Sequence, residues 1–240
     1  PIFFSSATAL LTHPMNRLHK EFERLFGAAA PEGDVAPAMT GDTVRALVLQ
    51  LAGPTDWPAM AAVWNGVQTD LSLPAPAIAV NGQDGFQLWF SLADPWPAAQ
   101  GAAFLDGLRR RYLVDVPPER LNQAPGLQSS AWLPRPVPAL QDDGRLWSAF
   151  VAPDLAPVFA DEPWLDTAPP PMGQSDLLSR LQSISTVDFQ RALSALSPAT
   201  RPVASPAPAT TGSDGRETHR TYAVADAGGR DPMHFLLDVM

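Results

Sequence analysis

The sequence predicts an α+β domain of the split β-α-β, or ferredoxin-like, type. Two observations favour this fold. Segments with strand and helix character follow one another in the order β-α-β-β-α-β. A turn with two glycines, residues 81–85, joins two short apolar runs and indicates a hairpin. The order predicts a four-stranded antiparallel sheet with two helices on one face, together with extra helices on its N- and C-terminal sides.

Each element has a local signal. Apolar runs between turn residues predict the strands, which are residues 44–52, 77–80, 86–92 and 146–151. Apolar residues at helical spacing predict the helices, which are residues 14–27, 56–70, 97–112 and, as one or two helices, 173–195. Asp56 is a natural N-cap with Pro58 in the first turn.

Composition divides the chain into four parts. Residues 1–43 form an N-terminal helix and loop, and residues 44–195 form the α+β domain. Residues 196–230 are rich in Pro, Ala, Ser and Thr, which is typical of a disordered linker. Residues 231–240 begin like a helix and stop without a C-cap signal, so we expect a truncated helical tail.

Charge and composition exclude several classes of protein. The chain of 240 residues has a net charge of -9, which disfavours nonspecific binding to nucleic acid or nucleotides. Without cysteine it cannot form disulfides or thiolate metal sites. No apolar run is long enough for a membrane span. The first residues lack the basic segment of a signal peptide, so we expect a cytoplasmic protein.

Strand alternation predicts which side chains each face of the sheet presents. Leu47, Leu49 and Leu51 share one side of the first strand and should face the two helices. By the same parity Gln50, Gln87 and Trp89 point to the other face. If that face is open, these three side chains form a polar and aromatic platform for a ligand. In the alternative interpretation, the N-terminal helix or residues 173–195 cover the face and the glutamines are merely hydrogen-bonded.

Two segments and the order of the elements resemble the archaeo-eukaryotic primase superfamily. Residues 77–90 (AIAVNGQDGFQLWF) resemble the family's hairpin, and residues 119–127 (ERLNQAPGL) resemble a segment that precedes the last strand of its catalytic palm. The resemblance implies a palm that binds two divalent metals for nucleotidyl transfer. It would place the Asp-x-Asp pair of the family at Gln50 and Ala52, and the family's histidine at Gln87.

Amide and methyl side chains do not supply the charge that a pair of metal ions needs. The resemblance therefore implies a palm that has lost its metal ligands, with Asp154 as the remaining match to a third carboxylate. We expect no cofactor and no metal. Asp154 joins Gln50, Gln87 and Trp89 as a candidate ligand-binding residue.

One dense basic run, Arg109-Arg110-Arg111, ends the helix at residues 97–112. It is a candidate phosphate contact. The alternative is a solvated helix end, because cations are favoured at the negative end of the helix dipole.

Three functions remain open. The first is a non-catalytic binding or scaffold protein on a primase-like palm, associated with DNA replication or mobile elements. The second is a divergent nucleotidyl transferase in which Asp142, Asp143 and Asp154 converge near the hairpin. The third is a protein-interaction module that uses its Pro-rich loops or its tail.

Overall fold

A computed structural model describes residues 17–27, 42–126 and 132–197 of the chain. The strands are β1 (Thr43–Leu51), β2 (Ala77–Val80), β3 (Phe86–Pro97), β4 (Leu121–Ala124) and β5 (Ala149–Val151). The helices are α1 (17–26), α2 (Trp57–Thr69), α3 (Ala98–Tyr112), α4 (Pro171–Ser179) and α5 (Thr186–Leu196), with 3₁₀ turns at Pro118–Arg120 and Ala156–Phe159. Beyond residue 197, the predicted linker and tail lie outside the described residues.

The five strands form one antiparallel sheet in the order β4-β1-β3-β2-β5. The α+β class and the first three predicted strands are confirmed, but the prediction of four strands is wrong. β4 (Leu121–Ala124) lies in a Pro-rich stretch, and the predicted fourth strand is a fifth strand on the opposite edge of the sheet. The sequence of β4, LNQA, has no apolar run, so only its pairing with β1 reveals it.

One face of the sheet packs against α2 and α3, as strand parity predicts, and α5 packs on the same face, which was not predicted. Leu47, Leu49 and Leu51 are fully buried there. Asp56 caps α2 by accepting a hydrogen bond from the backbone N–H of Ala59 at 3.0 Å. α5 joins this core through Phe189, whose ring centroid lies 5.2 Å from that of Phe104 in α3.

The second face is not open, because α1 covers it. The apolar side of α1 is fully or almost fully buried against small and apolar residues of the strands: Leu18, Phe22, Leu25 and Phe26 against Ala46, Val48, Ala77, Ala79 and Trp89. The structure therefore matches the alternative interpretation in which the N-terminal helix covers this face. An amphipathic helix needs an apolar surface to bury its own stripe, and this sheet face supplies one.

Polar contacts fix α1 in place at both ends. Arg17 forms an ion pair of 2.8 Å with Asp176 of α4. The Arg24 guanidinium donates to the carbonyl of Leu178 at 3.0 Å. At the other side of the helix, the Ser91 hydroxyl of β3 donates to the carbonyl of Leu25 at 2.6 Å. One ion pair and two hydrogen bonds to backbone carbonyls near the ends of α1 and α4 thus hold α1 against α4 and β3.

The turn between β2 and β3 is organised by Asn81. Its side-chain oxygen accepts hydrogen bonds from the backbone N–H groups of Gln83, Asp84 and Gly85 at 2.9 to 3.0 Å. Gly85 passes so close to β1 that a Cβ atom there would lie 2.0 Å from the carbonyl oxygen of Leu51. The glycine is therefore required by a close approach of two backbones.

The outer edge of β5 is closed by a side chain. Gln174 of α4 accepts a hydrogen bond from the backbone N–H of Phe150 at 2.8 Å and donates to its carbonyl at 3.0 Å. The Gln174 amide thus takes the place of a neighbouring strand. An exposed edge strand is a template for aggregation, and this pairing removes it at Phe150.

We expect Gly85→Ala to lower the free energy of unfolding by at least about 2 kcal/mol, because the clash is with backbone and β1 cannot yield cheaply. Urea denaturation measures this change. Gly126→Ala is the matched control, since the nearest atom to its Cβ would lie 3.6 Å away. Equal midpoints for the two variants would contradict the close approach.

We expect Gln174→Leu to destabilise the fold by about 1–3 kcal/mol for each buried backbone group that it leaves without a partner. The variant should also aggregate faster, which light scattering measures. Gln190→Leu, at an exposed position of α5, is the control. If both variants behave alike, Gln174 does not act as the edge cap.

Candidate functional site

The three predicted platform residues lie together, but inside the protein. Gln87 donates from Nε2 to Oε1 of Gln50 at 2.7 Å, and the indole N–H of Trp89 donates to Oε1 of Gln87 at 2.9 Å. Gln50 and Gln87 are directly opposite each other in the β1–β3 pairing. The exposed fractions are 8% for Gln50, 2% for Gln87 and 1% for Trp89. The three side chains thus form a buried, linear chain of two hydrogen bonds.

Aromatic rings cover this amide chain from the α1 side. The ring centroids of Phe22, Phe26 and Phe150 lie 5.9, 5.3 and 5.9 Å from that of Trp89. The prediction of a ligand platform on an open face is therefore wrong. The three side chains form a buried network, because the Trp89 indole and α1 belong to one apolar cluster. With exposed fractions of at most 8%, the three side chains are not available to a ligand in this structure.

The aspartates of the second hypothesis do not converge. Asp142 pairs with Arg135 at 2.6 Å. Asp143 accepts hydrogen bonds from the backbone N–H groups of Leu146 and Arg145, and these bonds lower the pKa of its carboxyl. Both residues therefore have local roles in their own turn.

Strand pairing places Asp154 at the far end of β2 from that turn. Gln141, next to Asp142, packs against Gly82 after the end of β2, whereas Val151, shortly before Asp154, pairs with Ile78. Ile78 and Gly82 lie roughly 13 Å apart along an extended chain. Within residues 17–27, 42–126 and 132–197, no group of three or more His, Cys, Asp or Glu side chains could hold a metal ion.

The three consecutive arginines form ion pairs with nearby aspartates on the protein surface. Arg109 lies 3.5 Å from the Asp106 carboxylate, and Arg110 pairs with the same group. Arg111 pairs with Asp70 at 3.2 Å. These contacts match the alternative of a solvated helix end.

Asp70 and Tyr112 form a small polar cluster beside Arg111. Hydrogen bonds from Thr69 and Tyr112 lower the pKa of Asp70, and Arg111 acts in the same direction. Partial burial raises the pKa of Tyr112 to about 12, and its bond to Asp70 adds to the rise. The tyrosine is therefore neutral at physiological pH and ties α3 to the end of α2.

A cleft of about 280 Å³ opens beside β5, where sequence reasoning predicts nothing. Four segments of the chain form it, so no local pattern reveals it. Its walls come from α2, the start of β2, β5 with the turn after it, and the end of α4: Trp64, Ala75, Pro76, Ala77, Ile78, Phe150, Val151, Ala152, Pro153, Asp154, Leu177, Leu178, Arg180 and Leu181.

Two exposed charges of opposite sign lie on the rim of this cleft. Asp154 follows β5, and Arg180 follows α4. Among the described residues, neither Asp154 nor Arg180 forms a side-chain ion pair or hydrogen bond. Arg145 is the one other described arginine whose side chain has no such partner. Asp154 was a candidate from the sequence, whereas Arg180 was missed because nothing local distinguishes it.

No family model matches the chain, and comparison with curated proteins finds no similar sequence. In the described part of the chain, no helix has both the length and the apolarity to cross a bilayer. The residues and their geometry therefore carry the functional argument.

We expect Gln87→Glu to destabilise the protein in a pH-dependent way. At pH 7 the variant buries an unpaired carboxylate, which costs about 3–5 kcal/mol. Burial raises the pKa of this glutamate above its unfolded value of about 4.3, so the loss grows as the pH rises above that value. Below about pH 4 the protonated acid can replace both amide hydrogen bonds, and the loss should be small.

Urea denaturation of wild type and variant at pH 4 and pH 7 measures the difference. Gln190→Glu, at an exposed site, is the control and should change little at either pH. A Gln87→Glu variant with the same small loss at both pH values would show that water reaches the amide chain.

Proposed function

We propose that this chain is a non-catalytic binding protein built on a ferredoxin-like core of the primase-palm kind. The strand order β4-β1-β3-β2 supports the core, with β5 added at one edge. The observation that carries the proposal is chemical. The positions that would bear the metal ligands bear Gln50, Ala52 and Gln87, and the two glutamines bond to each other at 2.7 Å.

Two-metal phosphoryl transfer requires carboxylates that hold two cations close together. Here the equivalent face holds neutral amides beside a cluster of aromatic rings. The indole N–H of Trp89 donates a hydrogen bond to the amide oxygen of Gln87. A cation at that point would lose most of its water without gaining an anionic ligand. Such a site is unfavourable because an unpaired buried charge is costly.

The cleft beside β5 supports a binding role instead. It combines apolar walls with a few polar groups at its rim, which is the usual composition of a small-molecule site. Nucleic acid is a weaker candidate ligand. Arg109, Arg110 and Arg111 are paired with acids, and the chain carries a net charge of -9.

A metal titration with a transfer assay tests the proposal. We expect no saturable binding of Mg²⁺ or Mn²⁺ in calorimetry and no metal-dependent nucleotide incorporation on a primed or unprimed template. The physical reason is the lack of an anionic ligand at Gln50 and Gln87.

Nucleotide incorporation that requires Mn²⁺ and is lost in Asp142→Asn, Asp143→Asn or Asp154→Asn would overturn the proposal in favour of a divergent transferase. Glu119→Gln, at an exposed position of the 3₁₀ turn, is the matched control for the loss of one acidic group.

A further inference from the structure

We propose that the cleft beside β5 binds a free amino acid with a large apolar side chain. Arg180 binds its carboxylate, Asp154 binds its ammonium group, and the side chain enters the cleft. This inference rests on the proposed binding function, because it names the ligand class of that same cleft.

The size of the cleft sets the first limit. Pockets for drug-sized ligands measure about 300–1,000 Å³. A volume of about 280 Å³ lies just below this range, so it suits a smaller molecule. A single amino acid has that scale, and a second cavity of about 370 Å³ adjoins the cleft at Phe150, Leu177 and Arg180.

The walls set the second limit. Ile78, Phe150, Leu177 and Leu181 present apolar atoms to the cleft. The indole N–H of Trp64 donates to the carbonyl of Pro76 at 3.1 Å, so this donor is already engaged within the protein. The interior therefore favours an apolar group over a polar one.

The rim sets the third limit. Arg180 and Asp154 are unpaired among the described residues, whereas the neighbouring Asp176 is held by Arg17 at 2.8 Å. A ligand with only a carboxylate would bring its charge near Asp154, and a ligand with only an ammonium would bring its charge near Arg180. A zwitterion gives each rim residue an opposite charge, and such charge-assisted hydrogen bonds are the stronger ones.

The closed edge of β5 argues against an extended peptide as the ligand. Gln174 occupies both backbone groups of Phe150, and the Ala152 carbonyl accepts from the backbone N–H groups of Leu155 and Ala156 at 3.0 and 3.1 Å. A peptide that binds by strand addition needs free backbone groups along an edge. This edge does not offer them beside the cleft.

Calorimetry on the full chain at pH 7 tests the inference, with L-phenylalanine and L-leucine as probes. We expect saturable binding of one of them with one site per chain. 3-Phenylpropanoate lacks the ammonium group and phenethylamine lacks the carboxylate. Each should bind at least about tenfold more weakly than L-phenylalanine, since a charge-assisted hydrogen bond is lost.

Two rim variants supply the second part of the test. Arg180→Gln and Asp154→Asn should each weaken binding of the amino acid by about tenfold or more. Arg145→Gln is the matched control, because Arg145 is the other arginine without a side-chain partner among the described residues and lies at a different cavity, lined by Trp147 and Asp166. Both rim residues are exposed, so the variants should fold as the wild type does.

Three results would overturn the inference: no binding of either amino acid at about millimolar concentration, equal affinity for 3-phenylpropanoate, or unchanged affinity in Asp154→Asn. Each result would leave the non-catalytic binding role intact. Metal-dependent nucleotide incorporation would instead reject the proposed function, whatever binds in the cleft.

Discussion

The indole of Trp89, a residue of β3, lies between α1 and the sheet. The apolar cluster on the α1 face of the sheet packs around this ring. Its ring meets Phe22 and Phe26 from the helix and Phe150 from β5, while its N–H bonds to Gln87. With α2, α3 and α5 on the opposite side, the sheet is buried on both faces. A polar side chain buried on either face loses its contact with water and is stabilised by a partner within the protein.

This constraint explains the chemistry of the central strands. Gln50 and Gln87 can be buried because they are neutral and because Gln87 donates a hydrogen bond to Gln50. Carboxylates at these positions would repel one another under a lid of aromatic rings unless cations joined them. The burial of this face and the neutral amides on it are thus consistent parts of one arrangement.

With both faces covered, the edge of the sheet is where a ligand can approach. Beside β5, the ends of several elements do not pack tightly against one another. The space between them is the cleft, with Arg180 and Asp154 on its rim. Gln174 closes the backbone of the same edge. The edge therefore offers side chains to a small ligand, and it offers few backbone groups to another strand.

The sequence by itself determined the features that depend on neighbouring residues. Alternation placed Leu49 on the face that meets α2 and α3 and Gln50 on the opposite face. Asp56 marked the start of α2, and the glycines of residues 81–85 marked the hairpin. Only the tertiary structure decided that α1 covers the second face, that β4 pairs with β1, and that Asp154 and Arg180 share a cleft. Periodicity and capping are local properties, whereas these placements depend on which apolar surfaces and strand edges remain free once distant segments have packed.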